Sequence, residues 1–188
     1  VRTSHAFEDN GVFLVDPLDA ENLDEKLEDY GEVKGIIVLF DRHQRDSEQL
    51  AEKYGCPIYV PEWLEPKIDV DSKPVENKIP GTNWELIETV NTFTGREAGL
   101  YNEQAGTLIV ADALGTVDFF KGRNEKLGLN PLYRLNPPKN LLNYDIDRIF
   151  CGHGRGIQEN TQETLKNTLT KARRKAPSAY FNAVKSMI

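Results

Sequence analysis

Cysteine is scarce in this chain: Cys56 and Cys151 are the only two in 188 residues. Their spacing matches neither a zinc-binding arrangement nor a disulfide framework. The expectation is therefore a reduced, cytoplasmic protein. No stretch approaches the ~18 apolar residues of a membrane span. Val1 to Asn10 is polar and lacks the charged-then-apolar layout of a signal peptide. Basic excess is absent too: 23 Lys and Arg stand against 30 Asp and Glu, for a net charge of −7. That balance argues against a nucleic-acid partner. The one dense basic cluster, Lys171, Arg173, Arg174 and Lys175, falls in a predicted helix and reads as a solvated face. Repeats, low-complexity tracts and linkers are also missing.

What remains is an ordinary globular composition, 39% hydrophobic and 28% charged. The length suits one domain over residues 1–188. Val12-Phe13-Leu14-Val15 reads as a buried strand ended by Asp16-Pro17. Asp19 is placed to cap a helix carrying Leu23, Leu27 and Tyr30 on one face, stopped by Gly31. Gly35 to Phe40 is a second buried strand, and Asp41 to Asp46 a polar loop. Ser47 is placed to cap a helix through Leu50, Ala51 and Tyr54, with Gly55 at its end. Pro57 to Val60 is a third strand. Pro61 to Thr82, with four prolines, reads as a surface loop. Trp84–Val90, Thr107–Val110 and Arg148–Cys151 read as strands, and Lys139–Leu142 as a short helix. Thr161 to Ala176 is helical by its apolar face, and Pro177 suits the first turn of a last helix. Strands alternating with helices give an α/β or α+β domain without choosing a topology.

Four segments then line up in order. Phe13-Leu14-Val15-Asp16-Pro17 is an early strand ending in Asp-Pro. Ile36 to Phe40 leads into Asp41-Arg42-His43-Gln44-Arg45-Asp46-Ser47, a helix, and Gly55-Cys56-Pro57. Thr107 to Leu114 is a strand ending Ala-Asp-Ala-Leu. Asp147 to Gly154 is a strand ending in Gly152-His153-Gly154. Together they resemble the metallo-β-lactamase superfamily, over about Gly11 to Leu169. The resemblance implies an α+β, αββα sandwich: two β-sheets flanked by helices, with the site on loops at one edge. Such proteins use zinc, iron or manganese.

The family's His-x-His-x-Asp-His loop is poorly kept. Asp46 holds the aspartate place, while Arg42, Gln44 and Ser47 stand at the histidine places and His43 on a spacer. A shift of one residue puts Asp41 and His43 on the two leading places and Arg45 on the aspartate. The next family histidine matches Arg96, after Gly95. Asp112 matches the bridging aspartate and His153 the final histidine. Three of seven ligand places survive: Asp46, Asp112 and His153. Arginine has no lone pair for a metal, and zinc wants four ligands, or three and a water. The expectation is no metal cofactor and no usual two-metal hydrolase. The guanidiniums of Arg42 and Arg96 would pair instead with Asp46 and Asp112.

Three functions follow. The first is a non-catalytic binding or assembly protein. The second is a metal-independent binder or enzyme for an anionic small molecule, met by Arg42, Arg45 and Arg96. The third is a hydrolase with one metal on Asp46, Asp112, His153 and His43. Cys151 reads as a buried strand-end residue rather than a nucleophile, since a thiolate needs an electropositive pocket.

Overall fold

The computed structural model describes residues 2–92 and 95–186. Strands β1 (His5–Glu8), β2 (Val12–Val15), β3 (Val33–Ile37), β4 (Ile58–Pro61) and β5 (Lys73–Val75) form one sheet in that order. Only β1 is antiparallel to its neighbour. Strands β6 (Glu85–Thr92), β7 (Gly95–Asn102) and β8 (Thr107–Val110) form an antiparallel run in a second sheet. There β11 (Arg148–Cys151) adds to β8 in parallel. Between them, β9 (Leu114–Gly115) and β10 (Gly128–Leu129) make a small ribbon. The helices are α1 (Leu23–Leu27), α2 (Ser47–Tyr54), α3 (Thr161–Thr170) and α4 (Ala172–Lys185).

The apolar runs explain the layering. Successive strand side chains point to opposite faces, so a strand apolar at every position needs cover on both. Phe13, Val15, Ile37 and Leu39 meet Leu86, Leu100 and Ile109 of the other sheet. Their neighbours Val12, Leu14, Ile36 and Val38 pack outward on Leu27 of α1 and Leu50 of α2. Across the molecule, Leu108, Val110, Ile149 and Cys151 pack on Leu165 and Leu169 of α3. The order is helix, sheet, sheet, helix.

Some elements differ from the sequence reading. β1 is a polar edge strand with every second residue exposed, and nothing in its composition marked it. β7 carries two glycines, Arg96 and Glu97, yet most of it is buried. The helix expected to run to Ala176 breaks at Lys171 (φ −98°, ψ 3°), so Pro177 lies inside α4 rather than in its first turn. Asp19 does not cap α1, which follows Asn22 in the left-handed region; its carboxylate takes the Gln49 amide instead. Ser47 opens α2 after Asp46 rather than capping it. Gly55 closes α2 as expected, with φ 62° and its N–H on the Ala51 and Glu52 carbonyls. Among the described residues no helix is long and apolar enough to cross a membrane.

Leu50 is fully buried between α2 and the first sheet. Leu50→Ala should cost about 2–5 kcal/mol, the usual range for such a cavity. Urea unfolding measures it, and a loss under about 1 kcal/mol would contradict this packing.

Candidate metal centre

Parallel pairing brings loops together at strand carboxyl ends, where open α/β sheets place their sites. β8 and β11 run side by side, with Val110 opposite Cys151. The residues just beyond are Asp112 and the Gly152-His153-Gly154 turn. β2 and β3 are likewise parallel, with Val15 opposite Ile37. Beyond them come Asp16 and the 3-10 turn Asp41–His43. The glycines of the His153 turn are required by contact. A Cβ on Gly152 would sit 2.5 Å from the Ala111 carbonyl oxygen and 3.1 Å from the His43 ring. Gly154 has φ +100° and no room beside Thr116.

Three side chains converge there: His43, Asp112 and His153. Both imidazole Nε2 atoms approach Oδ1 of Asp112, His43 at 3.2 Å and His153 at 2.9 Å. Both are ion-pair contacts, and this buried Oδ1 has no hydrogen-bond partner among the described residues. The far nitrogen of His43, Nδ1, lies 3.0 Å from Oδ2 of Asp16, whose Oδ1 accepts the Leu39 amide at 2.9 Å. Asp16 is buried at 3% exposure and so orients the ring firmly. His153 stacks on Phe120 at 5.5 Å. Phe119, Phe120, Val117, Asp118 and Ser186 line a cleft of about 430 Å³ that opens on Asp112 and His153. Its wall is held by buried Arg134, which donates to the Phe120 carbonyl at 2.7 Å and pairs with Glu125 at 2.6 Å.

Glu97 supports the loop that carries Asp112. It is fully buried, and its carboxylate accepts the amides of Ala111, Asp112 and Ala113 at 3.1, 2.9 and 3.0 Å. Burial pushes its carboxyl up to about 8, against the pull of those donors. At His43, burial favours the neutral ring, but contacts with Asp112 and Asp16 outweigh it and raise the pKa to about 9. At Asp112 burial favours protonation, yet the two imidazoles hold the carboxyl well below the usual range. Tyr133 is 1% exposed. Burial pushes its phenol up, helped by the charges of Glu97 and Asp112. Burial likewise pushes the Cys151 thiol up, which disfavours a thiolate nucleophile.

No protein-family model matches the sequence, and no curated protein matches it. Solved structures do. A protein named TTHA1623, crystallised in a di-iron-bound form, is similar with a TM-score of 0.65 and 19% identity. That similarity covers 89% of this chain and 93% of the other. The metallo-β-lactamase DIM-1 is similar at TM-score 0.64 and 14% identity, over 91% and 85% of the two chains. A metallo-β-lactamase from Pontibacter korlensis gives 0.62 and 16%, over 90% and 87%. The chain has the metallo-β-lactamase fold.

Of residues Asp41 to Ser47, the structure brings one side chain to Asp112 and His153. His43, read as a spacer, is the loop residue that reaches the centre. Its turn, not a strand alternation, decides which side chain points inward. Asp46 stays outside the cluster and accepts the Asp19 amide at 2.7 Å. Gln44 braces the loop between the Asp41 carbonyl and the Asp69 amide. Ser47 is buried, with its Oγ unpartnered among the described residues. The expected arginine pairs with Asp46 and Asp112 do not form. Arg42 is exposed and lies 5.3 Å over the Phe40 ring. Arg96 pairs with Glu88 at 2.9 Å and stacks on Trp63 at 4.2 Å. The expectation of no metal thus finds no support in the side chains. Asp16 was read as a strand end and Glu97 not at all. An acidic residue inside a strand was the available signal for Glu97.

Two outcomes follow for the metal-free protein. Glu97→Gln puts an amide NH₂ among backbone donors and should cost about 1–3 kcal/mol, read as a lowered Tm. An unchanged Tm would remove Glu97 as the brace of the Asp112 loop. His43 has a folded-state pKa of about 9 against 6.5 ordinarily, so its stabilisation is complete below pH 6.5 and lost as pH rises through 9. The loss is on the order of 3 kcal/mol. Glu97, also raised, acts in the same direction between 4.5 and 8. Unfolding free energies from pH 6 to 10 should therefore fall, with the part above pH 8 absent in His43→Asn.

Proposed function

We propose that this chain binds one divalent metal ion on His43, Asp112 and His153 and works as a metal-dependent hydrolase with a reduced ligand set. The observation that carries the reading is the approach of two imidazole Nε2 atoms to one buried carboxylate oxygen without a hydrogen bond to it. The donor set fits: the ligand atoms of a tetrahedral zinc lie about 3.3 Å apart, close to the 3.2 and 2.9 Å here. Buried polar atoms without partners usually mark a missing ligand or water. Asp41 Oδ1 and Asp112 Oδ1, on loops of this edge, and Ser47 Oγ, at the start of α2, are three of them. The similar structures point the same way, one holding two irons and others being metallo-β-lactamases.

Each residue has a stated part. Asp16 accepts a hydrogen bond from the Nδ1–H of His43, and with the proton held on Nδ1 the Nε2 lone pair would face the ion. Glu97 fixes the backbone that presents Asp112. Phe120 fixes the plane of His153, and with Phe119 it keeps water off one side of the cleft. A metal ion bound there would supply Lewis acidity toward a substrate oxygen and a water activated at neutral pH. Fold alone does not choose the substrate.

A second reading has one observation in its favour. An imidazolium at His43, between Asp16 and Asp112, would balance the buried carboxylates without metal. The protein would then be a non-catalytic partner on the same fold.

Metal analysis separates the two. After incubation with zinc, manganese or iron and removal of excess, one equivalent should remain, and it should be lost in His153→Ala. Retention of none, or of metal insensitive to His153→Ala, sinks the metal reading. Binding must also displace the His43 proton, so affinity should rise about tenfold per pH unit up to about pH 9. A metal affinity flat between pH 7 and 9 would place His43 outside the ligand set.

A further inference from the structure

Arg45 is the loop residue whose conformation is hardest to explain by its own bonds. Its backbone sits in the left-handed region at φ 47°, which is unfavourable for a long side chain and common at functional sites. Its Nη2 is buried with no hydrogen-bond partner among the described residues. The other terminal nitrogen, Nη1, donates twice, to the Thr3 carbonyl at 2.9 Å and to the Asp16 carbonyl at 2.6 Å.

Those two carbonyls belong to the supports of the two histidines. Asp16, through its carboxylate, holds the His43 ring. Thr3 holds the turn that carries His153, with its N–H on the Gly152 carbonyl at 2.8 Å and its Oγ1 on the Gly154 carbonyl at 3.2 Å. Both imidazoles are thereby referenced to one guanidinium, although they arrive from different sheets. The left-handed backbone is accounted for if the link itself is what the site needs.

We infer that Arg45 is a positioning residue that ties the His43 support to the His153 support and so sets the separation of the two ligand nitrogens. The inference rests on the one-metal reading. Arg45 suits the task because a single guanidinium nitrogen, Nη1, reaches both carbonyls. A lysine keeps the charge and can offer both donors from its ammonium, while glutamine keeps neither the charge nor the reach.

The test is cobalt(II) and zinc(II) titration of the whole chain in wild-type, Arg45→Gln and Arg45→Lys forms, with far-UV circular dichroism as the folding control. Arg45→Gln should bind 10–100-fold more weakly, the usual effect of losing a group that orients ligands, and its cobalt absorption bands should shift or weaken. Arg45→Lys should recover part of the affinity. A folded Arg45→Gln protein with wild-type affinity and bands overturns the inference. Should Arg45→Gln fail to fold, Arg45→Met, which has no donor, decides: wild-type affinity and bands there overturn the inference. Absence of binding in the wild type is a different result, because it removes the one-metal reading itself and the role of Arg45 with it. Imidazole nitrogen shifts of the metal-free protein give a second readout. The Nδ1–H of His43 should lose its bond to Asp16 in Arg45→Gln and keep it in wild type.

Discussion

Buried carboxyl groups are the constraint on which this edge of the molecule depends. Asp16, Glu97 and Asp112 sit at the ends and middle of buried strands, where an uncompensated carboxylate is expensive. Glu97 is answered by three backbone amides and by a raised pKa, and Asp16 by one amide and an imidazole. Asp112 has the two imidazoles close by, yet its Oδ1 lacks a hydrogen bond. The backbone path from residue 111 to 113 and the tilt of His43 answer to these three carboxyls.

The layers make that arrangement affordable in geometry. The two sheets hold their facing residues together through Phe13, Leu39, Leu100 and Ile109, so the loops at one edge have a rigid floor. The helices seal the outer faces and leave the edge itself open. The aromatic wall of Phe119 and Phe120 is pinned by a buried Arg134–Glu125 pair. Through the stack of Phe120 on His153 the same network also braces the centre.

Much of the frame was legible because strands covered on both faces must be apolar at every position. Val12–Val15, Thr107–Val110 and Arg148–Cys151 were readable for that reason, and so was the stop at Gly55. β7 was not, because its buried face carries Glu97 for the sake of the loop opposite. The order of the site loops was readable from Asp112 and His153. The register of Asp41–Ser47 was ambiguous by one residue. No period governs a 3-10 turn, and only the tertiary position of Asp16 shows why His43 rather than Gln44 turns inward. Pairing arginines with Asp46 and Asp112 was reasonable as charge arithmetic. Arg96 found Glu88 nearer across its own hairpin, and the Trp63 ring beside it.

The parallel contact of β11 with β8 joins residues 148–151 to residues 107–110. His153 therefore reaches Asp112 only after some forty intervening residues have folded back, and long loop closure of this kind is slow. His43 comes from the other sheet. Asp112 and His153 meet within the second half of the chain, and His43 joins them only where the first sheet packs on the second. Anything bound across the centre would fasten the first sheet to the second and make their opening a single event.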